Sequence, residues 1–185
     1  VQRRFGGRLV CERGLFHGAI AALIEDIDAQ FERAALPRSR APVTVARLYV
    51  GGEAMVIERY TTPRLLTLWC EKRARRVWRN AHRLRMLGIA TSRPVALIER
   101  RFGPSYLLQR DDVGVDLGER FTNEHIQPLV ALFADLARAG LVHGDTRSRN
   151  FIDIDGTIHL VGLTHMRAPF TRWGLSHGVA RDLER

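Results

Sequence analysis

The chain has 185 residues, 45% of them hydrophobic, and a formal net charge of +9. That length suffices for one sizeable core or two small lobes. No apolar run approaches the roughly 18 residues of a membrane span, and no signal-peptide pattern opens the chain. The charge rests on 28 Arg and a single Lys, Lys72; it is read either as a compositional habit or as attraction to anionic lipid, sugar phosphate or nucleic acid. Cys11 and Cys70 lie far apart without metal-ligand spacing, as expected of reduced thiols in a cytosolic protein. The first residue is Val, and residues 180–185 read as an unfinished helix, so a piece of a longer protein is expected.

Residues 1–13 are basic and irregular in pattern. Residues 14–34 read as a helix, with Leu15, Ile20, Leu23, Ile24, Ile27 and Phe31 near helical spacing. Pro37 and Pro42 bracket a basic connector. Residues 43–50 alternate and are β-branched, Gly51-Gly52 follows, and 54–57 are apolar again, which predicts a β-hairpin. A long helix is predicted over 65–87, ended by Gly88, with Lys72, Arg76, Arg79 and Arg83 as a basic stripe. That stripe is either a solvated face or a surface for lipid phosphates. Residues 94–99 and 105–109 read as strands about Gly103-Pro104.

Residues 112–116 look like a connector. A second helix starts at a cap on Thr122 or Asn123 and runs to Gly140. Later, 151–153 and 158–161 flank Asp155-Gly156, a strong hairpin turn. Between them stands His143-Gly144-Asp145-Thr146-Arg147-Ser148-Arg149-Asn150. An Asp and an Asn five residues apart, after an apolar run and His-Gly, form the catalytic-loop pattern of kinase-fold phosphotransferases. In that chemistry the Asp accepts the proton of an attacking hydroxyl, the Asn reaches a magnesium ion, and a basic residue between them steadies the phosphoryl group. The order strand hairpin, helix, two strands, connector, helix, loop, hairpin agrees with such a fold.

Over residues 43–185 the chain resembles the lipopolysaccharide kinase family, bacterial enzymes similar to those that phosphorylate Kdo or heptose of the inner core. Besides the loop, the resemblance is carried by Tyr49-Val50-Gly51-Gly52 with Val56-Ile57-Glu58-Arg59-Tyr60, by 74–81, and by Leu87-Gly88-Ile89-Ala90-Thr91-Ser92-Arg93-Pro94. Gly103-Pro104-Ser105-Tyr106 and 160–167 extend it. It implies an α+β, protein-kinase-like two-lobe fold. Residues 1–42 would form an N-terminal extension with a helix. A small β-rich N-lobe with one long helix would cover 43–111, and an incomplete, truncated helical C-lobe 112–185. It also implies ATP and magnesium as cofactors of an active member, Asp145 and Arg147 as catalytic residues, and Asn150 as metal ligand.

Two positions depart from the family's pattern. Glu58 stands where a Lys holds the ATP phosphates, and Gly162 stands where an Asp holds the main magnesium ion; Thr164 replaces a frequent second Asp. Arg59 is adjacent to Glu58, but successive strand residues face opposite sides of a sheet. No Asp or Glu lies between Glu71 and Glu99 to supply the usual helix carboxylate; Glu58 is read either as pairing with Arg76, Arg79 or Arg83 in inverted polarity or as exposed and unpaired. The resulting expectation is a pseudokinase with a binding or regulatory role in lipopolysaccharide core modification. It would be cytoplasmic or peripheral at the inner membrane, with a lipopolysaccharide core sugar, a lipid-linked saccharide, an anionic membrane surface or a protein as partner. An active ATP-dependent kinase of an inner-core sugar is the first alternative. A basic nucleic-acid-binding module is the second, and it lacks a groove-reading motif.

Overall fold

The computed structural model describes residues 7–12, 18–34, 38–40, 43–61, 73–111 and 113–184. They fall into two compact units, one from 1–78 and 93–111, the other from 79–92 and 112–185.

The first unit is built on a six-stranded sheet of β1 (Gly7–Cys11), β2 (Arg38–Arg40), β3 (Val43–Val50), β4 (Glu53–Tyr60), β5 (Pro94–Arg100) and β6 (Ser105–Arg110), in the order β1-β5-β6-β4-β3-β2. Every pairing is antiparallel. The β3–β4 hairpin turns at Gly51-Gly52 as its sequence predicts, because both residues take positive φ, which L side chains resist. Residues 14–34, read as one helix, contain two: α1 (Gly18–Glu25) and α2 (Ile27–Arg33), with the backbone leaving the helical region at Asp26. The apolar side chains Ile20, Leu23, Ile27 and Phe31 share one core with Ile57, Ile98 and Tyr106 of the sheet. Asp28 locks the layers together by accepting from the Tyr106 hydroxyl and pairing with Arg100.

The opposite sheet face carries Val45, Glu58 and Leu107 in one cross-strand row. Helix α3 (Arg73–Met86) begins in this unit with Ala74 and Val77 buried. The part of the predicted helix before Arg73, Lys72 included, lies outside the described residues, as do Trp69 and Cys70. Strand β1 falls in the stretch that reads as irregular. Its signal is non-local: only Leu9 is buried, and a Cβ at Gly7 would sit 2.1 Å from the Glu99 carbonyl oxygen, so pairing with β5 needs glycine there.

The second unit contains the rest of α3, a three-stranded antiparallel sheet of β7 (Val115–Asp116), β8 (Phe151–Ile154) and β9 (Thr157–Leu160), and helices α4 (Ile126–Arg138) and α5 (Arg172–Leu183). A single 3-10 turn, Asn123–His125, opens α4 from the Thr122 cap. His125 takes the place of the usual Glu or Gln of a capping box, its Nδ1 accepting from the Thr122 amide at 2.9 Å. The β8–β9 hairpin turns at Asp155-Gly156 as predicted, with φ of 51° and 80°. Buried Asn80 of α3 ties this unit internally, its Nδ2 donating to the carbonyls of Leu163 and Met166 at 2.9 and 3.1 Å. Among the described residues no helix is long and apolar enough to cross a membrane.

Candidate functional site

The loop 143–150 runs between the end of α4 and strand β8, and its backbone is held from below. Val142 pairs with Arg167 through two backbone hydrogen bonds of 2.9 and 3.0 Å. Asp182 of α5, only 5% exposed, accepts from the amides of His143 and Gly144 at 2.7 and 2.9 Å. One carboxylate side chain accepting from two successive loop amides is a strong anchor, because it fixes both backbone groups to another helix. Nothing local in the sequence singles out Asp182, because its partners lie 38 and 39 positions away.

His143 is fully buried and packs on Phe151, ring centroids 6.0 Å apart. Its Nδ1 accepts the Asp145 amide at 3.3 Å, which leaves the proton on Nε2, facing the Val161 carbonyl at 3.3 Å. Burial pushes its pKa down, outweighing the Val161 carbonyl and the carboxylates of Asp182 and Asp145, so the ring is neutral. It organises the loop and carries no exchangeable proton to the surface.

Asp145 and Asn150 come together as their spacing predicts. Asn150 Nδ2 donates to the Asp145 carbonyl at 2.6 Å, and the side chain is buried. The Asp145 carboxylate is held by Arg147 in a two-point clamp, Nε to one oxygen and Nη2 to the other. That clamp is the chief reason its pKa is depressed to about 2, with burial opposing and Asn150 assisting. Arg147, read as a phosphate contact, is therefore turned onto the carboxylate instead.

Gly162 lies beyond the second hairpin strand, which is expected over 158–161. Strand β9 ends at Leu160, Gly162 takes a left-handed conformation (φ 71°, ψ 37°), and a 3-10 turn, Leu163–His165, follows. A Cβ built on Gly162 would lie 2.5 Å from Asn150 Oδ1 and 2.8 Å from its Cγ. The Asn150 carboxamide thus occupies the space that a side chain at 162 would need.

Within the first unit, Glu58 stands between Val45 and Leu107 on its sheet face. Burial pushes its carboxyl pKa up, and its hydrogen bond comes from the Tyr60 hydroxyl rather than from Arg76. Arg59 points to the other face, pairing with Glu32 and stacking over Phe31 at 4.4 Å from the ring centre. The helix-to-sheet ion pair does exist in inverted polarity, but on a different strand. Arg75 of α3 binds Glu99 of β5 through Nε at 3.0 Å and Nη2 at 2.6 Å, with the Glu99 side chain 4% exposed. Glu99 was legible only as a strand residue.

For a divalent ion the second unit's loop offers one neutral carboxamide, already bonded to backbone, and one carboxylate already neutralised by a guanidinium. A hard cation wants several free, preferably anionic, oxygens. Among the described residues no group of three His, Cys, Asp or Glu side chains converges. The donor set does not fit magnesium.

No family model matches the chain, and no curated protein matches it. Among solved structures it is similar to WaaP as seen in complex with acyl carrier protein, at 19% identity over 95% of this chain and 78% of that one, with a TM-score of 0.66. At that identity the similarity establishes the fold. The architecture is α+β and kinase-like, with a β-rich unit and a helical part.

Proposed function

We propose that this chain is a lipopolysaccharide kinase-like protein that has ceased to transfer phosphate and acts as a binding or regulatory module, a pseudokinase, in lipopolysaccharide core modification. The observation that carries this reading is the capture of the Asp145 carboxylate by Arg147, the residue that the motif pattern would assign to a phosphate. Glu58 in place of Lys supports it. A charge about 4 Å from a phosphate at an effective dielectric near 20 is worth on the order of 4 kcal/mol, and a buried Glu at position 58 does not supply that favourable charge. A protein partner is part of the proposal, supported by the solved complex of WaaP with acyl carrier protein. So is a core sugar or lipid-linked saccharide as ligand, at the cytoplasmic face of the inner membrane.

The second reading is an active ATP-dependent kinase of an inner-core sugar, favoured by an Asp145 that stays ionised beside Asn150. A thermal-shift titration with ATP, with and without magnesium, separates the two. A ligand at one hundred times its Kd stabilises by about 2.7 kcal/mol, a rise of several degrees for a protein this size. The pseudokinase reading expects no magnesium-dependent shift at millimolar ATP. A robust one that disappears in Asp145→Ala would overturn it.

A further inference from the structure

The turn that leads into α5 carries an unusual exposure. Phe170 is fully exposed and Trp173 is 78% exposed. Two large aromatic side chains on one short ordered turn are costly to leave in water and mark an interaction surface. The turn is not loose. Arg167 is fixed by its two backbone bonds to Val142. The Thr171 side chain caps α5 by accepting from the Gly174 amide at 3.0 Å, and Gly178 packs so tightly on Val142 that a Cβ there would meet its Cγ2 at 2.6 Å. Both ends are thus anchored while the tip presents Phe170 and Trp173 outward.

The acidic and basic residues of the segment itself have one sign. No Asp or Glu occurs between Asp155 and Asp182, while Arg167, Arg172 and Arg181 do, and all three are exposed. The Trp173 indole stacks on the His177 ring, centroids 5.5 Å apart and planes 5° apart, and Arg181 Nη2 reaches His177 Nε2 at 3.2 Å. The indole is therefore held in one orientation by a row that ends in a guanidinium.

We infer that the Arg167–Arg181 segment is a membrane-docking wedge for an anionic bilayer surface. Phe170 and Trp173 enter the headgroup–acyl boundary, where an indole's apolar body and polar N–H are both accommodated. Arg172 and Arg181 meet lipid phosphates, which guanidinium groups bind in a planar, two-point fashion. The charge complementarity selects an anionic lipid over a neutral one. This goes beyond the proposed pseudokinase reading and needs no nucleotide, so the two fail separately.

The test is co-sedimentation of the whole chain with phosphatidylglycerol-containing vesicles against pure phosphatidylcholine vesicles, with depth-dependent quenching of tryptophan fluorescence by brominated lipid. Binding is expected to the anionic vesicles alone, with quenching that is lost in Trp173→Phe. Phe170→Ser with Trp173→Ser should weaken partitioning roughly 100-fold, as loss of two buried aromatic side chains implies. Arg172→Gln with Arg181→Gln should weaken it about 10-fold or more and abolish the lipid preference. All four positions are exposed, so circular dichroism and melting temperature should match the parent chain. Equal partitioning of the aromatic double variant, equal binding to neutral vesicles, or binding to duplex nucleic acid but not to vesicles would each overturn the inference.

Discussion

The Arg147–Asp145 clamp commits the Nε and Nη2 donors of the guanidinium to the carboxylate. Its signature is in the titration. Asp145 sits at about 2 against an ordinary 3.8, so the unfolded chain binds this proton more tightly than the folded one. The stabilisation is therefore fully present above the ordinary carboxylate range and drains as pH falls toward about 2. In Arg147→Ala the carboxyl should return toward its ordinary range. The two proteins should then differ in melting temperature at neutral pH and converge in acid. Carboxyl-resolved NMR titration checks the first expectation and melting curves across pH the second; an unmoved Asp145 titration would contradict the clamp.

Gly162 makes a second argument at the same scale. Substitution by Asp adds a carboxylate, yet the backbone there is left-handed and the space belongs to Asn150. Left-handed backbone costs a non-glycine residue about 1–2 kcal/mol, and displacing the carboxamide sacrifices its bond to the Asp145 carbonyl, about 1 kcal/mol more. Gly162→Asp alone is expected to lower stability by roughly 2–3 kcal/mol in urea melts and to gain no magnesium-induced shift. A magnesium-stabilised Gly162→Asp protein would show that the loop yields more readily than its packing indicates.

Among the elements, α5 matters most for the loop, through one side chain. Asp182→Ala removes the carboxylate that accepts from the buried His143 amide and the half-buried Gly144 amide, at a cost of about 2–4 kcal/mol. The expected result is a matching fall in unfolding free energy and faster hydrogen exchange at those two amides. Asp182→Asn, which keeps one acceptor, should lie between. Exchange at His143 and Gly144 as slow as in the parent chain would refute the anchoring role. The elements also show how far the sequence was legible. The hairpins at Gly51-Gly52 and Asp155-Gly156 and the Thr122 cap could be read because turn and cap chemistry is local. Strand β1 and the Asp26 break between α1 and α2 could not, since one depends on pairing with a strand some 90 residues away and the other on which face of the sheet the helices must cover.

Across the whole molecule, the kinase-like order of elements was readable from the Asp145–Asn150 spacing and the strand–helix sequence around it, and the similarity to WaaP supports the same fold. That Glu stands at 58 and Gly at 162 was equally visible, because residue identity is a fact of sequence. Where charges meet was not. Glu58 reads as paired with a helix arginine or as exposed, but the register places Val45 and Leu107 beside it and gives it Tyr60, while the α3 guanidinium goes to Glu99. Residue types and spacings, with local turn and cap signals, determine the elements and the vocabulary of the site. Tertiary structure alone decides the partners, because a carboxylate's neighbour depends on strand register and helix rotation that no local stretch encodes. That is why Arg147 closes on Asp145, Asn150 fills the space at Gly162, and Asp182 holds the loop from another helix.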